Sequence, residues 1–115
     1  MSQAKQVTAE TFQREVVQSD VPVLVDFYAT WCGPCRMLGP VLDKVAAQVS
    51  GRAKIVKVDV DEDPGLAGQF DVSSIPTLVL FANGKVAGKT VGLAKAEQLV
   101  EMIDKVSVPA QAAAR

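Results

Sequence analysis

An apolar segment near the N-terminus limits the folds open to this chain. Residues Val21–Ala29 read VPVLVDFYA, and both alternating sets of side chains are apolar except at Asp26. A strand of this kind is typical of the centre of a sheet that is covered on both faces. A second buried strand is predicted at Ala53–Val60, after one helical stretch. A strand, a helix and a second strand in this order predict a parallel pair.

The helices are predicted from apolar residues at helical spacing and from capping signals. The longest has Pro34 in its first turn, where a residue without an N–H is favoured, and it ends at Ser50-Gly51. Pro40 lies inside this helix and should kink it, because its ring opposes the carbonyl four residues back. The other helices are predicted from Thr8 or Thr11 to about Gln18, from Pro64 to about Phe70 and from Lys95 to Val106.

Asn83-Gly84 is the strongest hairpin signal in the chain, and it joins the predicted strands Thr77–Ala82 and Lys85–Val91. The hairpin adds an antiparallel edge to the parallel core. The expected fold class is α/β in three layers, a central mixed sheet with helices on both faces. The chain at and before Val7 can add an edge strand, but the sequence is ambiguous there. We expect one domain over residues 1–106 and a flexible tail over residues 107–115.

Composition excludes several functions. The chain has no histidine among its 115 residues, which removes Ser-His-Asp and Cys-His catalysis and every metal site that needs histidine. Its 12 basic and 13 acidic residues form no basic stripe, so no nucleic-acid partner is expected. We see no apolar run long enough for a membrane span and no signal peptide, and we therefore expect a cytoplasmic protein.

The two cysteines, Cys32 and Cys35, lie where the central strand ends and the long helix begins. Unpaired N–H groups and the positive end of the helix dipole stabilise a thiolate, so the pKa of Cys32 should fall below that of a free cysteine. Cys35, about one turn further in, should be more buried. This arrangement predicts thiol–disulfide exchange, in which Cys32 attacks the disulfide of a partner and Cys35 then releases the reduced partner.

Other interpretations of the cysteines stay open. They could be buried core residues, or they could bind zinc together with the pair of a second chain. A disulfide oxidase or isomerase is a further possibility, although Gly33-Pro34 supplies no group that would stabilise the reduced form. A binding module whose thiols are incidental is the alternative from another functional class.

Release by Cys35 requires a proton acceptor, and Asp26 is the candidate. Burial in the central strand should raise the pKa of its carboxyl and suit it to proton transfer near neutrality. A structural carboxyl or a solvated one is the alternative. Lys57, in the neighbouring strand, can pair with Asp26 and moderate the shift, but the strand register is not fixed by the sequence, so Lys57 could equally be exposed.

Residues next to the cysteines suggest how a partner would be recognised. Trp31 borders Cys32 and offers a large apolar platform, with a half-buried structural role as the alternative. Gly33 lets a partner backbone approach, and Pro34 stiffens the loop. The alternating acids Asp59, Asp61 and Asp63 are not interpreted as a calcium loop, because its required glycine and glutamate positions hold Pro64 and Phe70.

Several short segments between residues 7 and 106 stand in the order typical of one known family: Val25-Asp26-Phe27-Tyr28-Ala29, Trp31-Cys32-Gly33-Pro34-Cys35-Arg36, Lys57-Val58-Asp59, Ser74-Ile75-Pro76-Thr77, Asn83-Gly84 and Gly92. On these segments the chain resembles the thioredoxin family. Two departures are small: Tyr28 stands where many members have tryptophan, and Arg36 replaces the commoner lysine.

The resemblance implies a thioredoxin-like fold and a protein-disulfide reductase that holds no cofactor. Electrons would come from the NADPH-dependent flavoprotein thioredoxin reductase, and the partners would be that enzyme and disulfide-containing target proteins, with the chain itself a monomer. The resemblance also implies that Pro76 follows a cis peptide bond and faces the cysteines. A shallow apolar groove for target proteins would be lined by Trp31, Gly33, Pro34, Ile75, Pro76, Val91, Gly92 and Leu93.

Overall fold

The central strand predicted from the sequence is present and is covered on both faces. The computed structural model describes residues 2–113, and in it the strand β2 spans Val23–Tyr28, with all of its residues buried. Its ends lie slightly inside the predicted segment Val21–Ala29. Burial of both faces requires a layer of helices on each side, which fixes the three-layer architecture.

The sheet is mixed, as predicted, and has the strand order β1-β3-β2-β4-β5. The edge strand that the sequence left ambiguous is formed and is parallel to β3, as β2 is on its other side. Strand β4 is antiparallel to both β2 and β5. The strands are β1 Lys5–Gln6, β2 Val23–Tyr28, β3 Lys54–Asp59, β4 Thr77–Ala82 and β5 Lys85–Val91.

Four helical segments supply the outer layers. Helix α1 spans Ala9–Phe12 and continues as a π-helical segment over Gln13–Val17. Helices α2, α3 and α4 span Gly33–Gln48, Pro64–Gln69 and Ala96–Ala113. Helix α2 contains Pro40 and continues past it. None of the helices in residues 2–113 has the length and apolarity that a bilayer crossing requires.

The helices divide between the two faces of the sheet according to which residues of β2 they cover. Val25 and Phe27 pack with Phe12 of α1 and Leu66 of α3 in one apolar cluster. Leu24, on the opposite face, belongs to a second cluster with residues of α2 and α4, among them Leu38, Leu42, Leu99 and Ile103. Asp26 follows Leu24 by two residues and therefore points to the α2 side.

The last helix is longer than the sequence predicted. We expected it to end at Val106, before a flexible tail, whereas the backbone is helical to Ala113. The predicted end is therefore wrong. Alanine has the highest helix propensity of all residues, and the run of alanines after Pro109 favours continuation of the helix. The flexibility of residues 107–115, and their separation from a domain at 1–106, stay predictions.

The β4–β5 turn has the backbone that its sequence predicts. Asn83 and Gly84 have φ values of 54° and 77°, both positive as a two-residue hairpin turn of this type requires. The turn also packs against the segment that follows α1, since a Cβ on Gly84 would lie 2.9 Å from the carbonyl oxygen of Val17. Gly84 therefore has a conformational reason and a steric reason to be glycine.

Replacement of Gly84 by alanine should destabilise the protein more than the same change at Gly51. Both glycines have positive φ, but a Cβ at Gly51 meets nothing within 4 Å. We expect Gly51→Ala to cost about 1 kcal/mol of unfolding free energy from the backbone alone. Gly84→Ala should cost about 1–2 kcal/mol more, because Val17 must move. Urea unfolding measures both losses, and equal losses would show that the contact with Val17 has no energetic weight.

Candidate active site

Cys32 caps the N-terminus of α2. Its backbone is extended, with φ −86° and ψ 113°, and its Sγ accepts a hydrogen bond of 3.2 Å from the backbone N–H of Cys35. The helix begins at Gly33, directly after it, with Pro34 in the first turn. The sulfur of Cys32 thus lies among N–H groups that have no partner inside the helix, which are the groups that stabilise a thiolate.

The two cysteines form a disulfide across the first turn of α2, with their Cα atoms 5.3 Å apart. Both are buried, but Cys35 is completely so, whereas Cys32 retains 4% exposure. An attacking sulfur must be accessible to its partner, and Cys32 is the less buried of the two, but the order of attack stays a prediction. Tyr28, Ala29, Val60 and Ile75 pack around the pair and exclude most solvent from it.

Asp26 is a buried carboxyl beneath α2. It is 2% exposed, and its Oδ1 has no hydrogen-bond partner among the described residues. Burial raises the pKa of Asp26 from its ordinary value of 3.8 to about 7, and the positive charge of Lys57 opposes part of the shift. On the same face of β2 it lies between Leu24, in the α2 cluster, and Tyr28, which packs with the cysteines. Asp26 is therefore a buried carboxyl with a pKa near neutrality, two residues before a side chain that packs with the cysteines.

Lys57 lies directly opposite Asp26 in the β2–β3 register, which the sequence did not fix. Within the described part of the chain, no ion pair joins their charged atoms. The Lys57 Nζ donates instead to the carbonyl oxygen of Ser2 at 2.9 Å and lies 5.6 Å from the centroid of the Tyr28 ring. Lys57 is part-buried, so the exposed alternative is wrong, and its charge moderates the raised pKa of Asp26, as the other alternative predicted.

Trp31 projects into solvent beside Cys32. It is 67% exposed, and its Nε1–H donates to Asp61 Oδ2 at 2.7 Å. The half-buried structural alternative is therefore wrong, and the recognition role of Trp31 stays a prediction. No local pattern indicates the bond to Asp61, because it joins residues 30 positions apart. The other two alternating acids also accept hydrogen bonds: Asp59 Oδ1 accepts from the nearby Asp61 N–H, and Asp63 Oδ1 accepts from the distant Ala9 N–H.

The predicted groove residues do not all line one cavity, although Ile75 packs against the disulfide. Trp31 and Ile75 face a cavity of about 210 Å³, together with Val60, Ala67, Val72, Ser73 and Ser74, which the sequence reasoning did not single out. The Ile75-Pro76 peptide bond is cis, as the family resemblance implied. Pro76 itself is buried, and its carbonyl accepts from the Gly92 N–H at 2.8 Å.

The remaining predicted groove residues are exposed. Val91 is 57% and Leu93 is 53% exposed, and Gly33 and Pro34 are exposed in the first turn of α2. Met37, one turn further along α2, is 65% exposed and was not predicted. Its position out of phase with Leu38 and Leu42 was the signal that could have identified it. Three large apolar side chains in this part of the chain, those of Met37, Val91 and Leu93, are thus exposed.

Comparison with known proteins agrees with this geometry. The thioredoxin family model matches residues 3–105. The chain belongs to the thioredoxin family. Thioredoxin 1 of Nostoc sp. is 50% identical over 105 residues, which cover 91% of this chain and 98% of the relative. The thioredoxin of Haemophilus influenzae is 45% identical, with the same coverage of both chains.

A solved structure agrees with the fold as well. A mutant thioredoxin from Halobacterium salinarum NRC-1 superposes with a TM-score of 0.81 at 38% identity and covers 90% of each chain. Thioredoxins are thiol–disulfide oxidoreductases, and the close-spaced pair Cys32 and Cys35 provides that chemistry in this member of the family.

The raised pKa of Asp26 predicts how the stability of the oxidised protein depends on pH. The folded state binds the proton of Asp26 more tightly than the unfolded state, so this group makes the free energy of unfolding fall as pH rises from about 4 to about 7. A shift of this size corresponds to a loss on the order of 4 kcal/mol. Asp26→Asn, a neutral side chain of the same shape, should therefore be more stable than the unsubstituted chain above pH 7 and similar to it in acid.

Urea unfolding of the oxidised protein across this pH range measures the effect. Asp20→Asn, at an exposed position, changes the net charge by the same amount and serves as the control. An Asp26→Asn variant whose advantage did not grow with pH would contradict a raised pKa at this site.

Proposed function

We propose that this chain is a general protein-disulfide reductase in which Cys32 attacks and Cys35 resolves. The observation that carries the proposal is the position of Cys32 at the N-cap of α2, where its sulfur accepts from the Cys35 N–H and is the less buried of the pair. The N–H groups and the helix dipole favour its thiolate, which is the nucleophile in thiol–disulfide exchange.

The first step joins the protein to its target. The Cys32 thiolate attacks one sulfur of the target disulfide, the target S–S bond breaks, and a new S–S bond links Cys32 to the target. The displaced target sulfur leaves as a thiolate and takes a proton from solvent. The exposed apolar side chains of Trp31, Val91 and Leu93 would bury apolar surface of the target and hold its disulfide near Cys32.

The second step releases the target. Cys35 transfers its proton towards the carboxylate of Asp26, and the resulting thiolate attacks Cys32 Sγ. The bond between Cys32 and the target breaks, and the second target sulfur leaves with both electrons of that bond. Overall, the target disulfide is reduced to two thiols and the pair in this chain is oxidised to the observed disulfide. A carboxyl with a pKa of about 7 suits this role, because both of its protonation states are populated near neutrality.

Return to the dithiol state needs a reductant from outside the chain. By analogy with the family, we propose thioredoxin reductase as that partner, disulfide-containing proteins as the targets, a monomeric chain and a cytoplasmic location. These assignments follow from the family resemblance and the sequence, and they stay predictions.

The order of the two cysteines is tested by trapping. Cys35→Ser removes the resolving thiol, so a mixed disulfide between Cys32 and a disulfide substrate such as insulin should accumulate, with steady-state reduction reduced by at least about a hundredfold. Cys32→Ser is the matched control and should give no comparable adduct. Mass spectrometry of the alkylated complexes identifies the linked sulfur. Adducts on Cys35 in the second variant, formed as fast as those on Cys32 in the first, would reverse the assignment.

The role of Asp26 is tested by separating the two steps in time. In Asp26→Asn, release of the target by Cys35 should slow by about tenfold to a hundredfold above pH 7, because no carboxylate accepts the proton. In the unsubstituted chain, the rate of target release should fall towards that of Asp26→Asn as pH falls through about 7, where Asp26 becomes protonated. Stopped-flow kinetics of mixed-disulfide formation and decay measure both rates, and Asp20→Asn is again the charge control. An unchanged decay rate with its usual pH profile would remove Asp26 from the mechanism.

A further inference from the structure

The first residues of the chain form a short segment that lies against the charged groups near Asp26. We call Ser2–Gln6 the N-terminal strap. Ser2 is only 5% exposed, and the Gln3 N–H donates to Asp43 Oδ1 of α2 at 2.8 Å. At the other end, Gln6 Oε1 accepts from the Tyr28 hydroxyl at 3.2 Å. The strap is thus attached at one end to α2 and at the other end to β2.

Lys57 lies between the strap and Asp26 in the sheet. Gln6 of β1 lies opposite Lys57 of β3, and Lys57 lies opposite Asp26 of β2. Side chains opposite one another in a parallel sheet share a face, and neighbouring strands are about 4.8 Å apart. The four-carbon stem of a lysine can span that spacing, so the Lys57 ammonium has a carboxyl within its reach. It donates instead to the Ser2 carbonyl oxygen of the strap.

Few other ionisable groups face Asp26. On β4 the opposite residue is Leu78, and the whole strand Thr77–Ala82 carries no charge. The buried residues of α2 and α4 on this face of the sheet are apolar, apart from the thiol that Cys35 has when reduced. On β2, the Tyr28 hydroxyl donates to Gln6 of the strap, and burial together with the carboxylates of Asp59, Glu62 and Asp26 raises the pKa of Tyr28. Burial sets the raised pKa of Asp26, and Lys57 is the charge that opposes it.

We propose that the N-terminal strap is a positioning element that holds the Lys57 ammonium on the Ser2 carbonyl and away from Asp26, so that Asp26 keeps its proton affinity for the release step. The inference rests on the role proposed above for Asp26. A direct ion pair would stabilise the carboxylate and make it a weak base. The strap keeps the Lys57 ammonium hydrogen-bonded at a site where its charge compensates the Asp26 carboxylate only in part.

The strap can be released in the full-length chain by one substitution. Gln3→Pro removes the N–H that donates to Asp43, whereas Gln3→Ala keeps it and alters only an exposed side chain. The probe is the carboxyl carbon of Asp26, observed by NMR in the oxidised protein, where the cysteines do not titrate. We expect the titration midpoint of Asp26 to fall by about one unit in Gln3→Pro, as Lys57 approaches, and to stay unchanged in Gln3→Ala.

The same pair of substitutions in a Lys57→Met background shows whether the strap acts on Asp26 through the Lys57 charge or by excluding water. Lys57→Met alone should raise the midpoint of Asp26, because a charge that opposes the shift is removed. In this background Gln3→Pro should have no further effect. If Gln3→Pro lowers the midpoint equally with Met at position 57, the strap acts by excluding water, and the proposal is overturned. An unchanged midpoint in Gln3→Pro with Lys57 present would also overturn it.

A second route to the same bond is available if Gln3→Pro does not fold. Asp43→Ala removes the acceptor of the Gln3 N–H, and Asp43→Asn removes the same charge but keeps an oxygen in place. The midpoint of Asp26 should be lower in Asp43→Ala than in Asp43→Asn, and equal midpoints would contradict the proposal. These titrations are independent of exchange kinetics. Failure of the strap leaves the reductase proposal intact, and failure of the trapping experiment leaves the titration result intact.

Discussion

Burial of β2 on both faces is the constraint on which the rest of the structure depends. It requires helices on each side of the sheet, and α1 and α3 cover one face while α2 and α4 cover the other. It also places one carboxyl, that of Asp26, where water cannot solvate its charge. The same burial that organises the fold therefore raises the pKa of Asp26. The free-energy cost of burying this carboxylate and its raised pKa have one physical origin.

The connection from β2 to α2 converts that architecture into a redox site. The strand ends at Tyr28 and the helix begins at Gly33, so the intervening loop brings Cys32 to the N-cap, where the unpaired N–H groups of the helix are concentrated. Cys35 follows by one turn and is therefore on the inner side of the helix, with Leu38 and Leu42. Helical spacing gives the two sulfurs different exposure, and the different steps proposed for them rest on that difference.

Local patterns predicted much of this arrangement, and long-range contacts account for what they missed. The alternation around Asp26 predicted its burial, and Asn83-Gly84 predicted the turn that the positive φ values confirm. The position of Lys57 could not be read in the same way. Its register opposite Asp26 depends on how two strands align, and its hydrogen bond goes to Ser2, 55 positions away. The bond from Trp31 to Asp61 was missed for the same reason.

The placement of Lys57 shows how stability and chemistry compete at this site. An ion pair with Asp26 would compensate the buried carboxylate, and breaking such a pair usually costs several kcal/mol. It would also lower the pKa of Asp26 and leave Cys35 without an effective proton acceptor. Holding the ammonium on a backbone carbonyl satisfies the lysine, because carbonyl oxygen is a good acceptor, and leaves Asp26 only partly compensated. The Oδ1 of Asp26 has no hydrogen-bond partner among the described residues, and burial with so little compensation raises the pKa of the carboxyl to about 7.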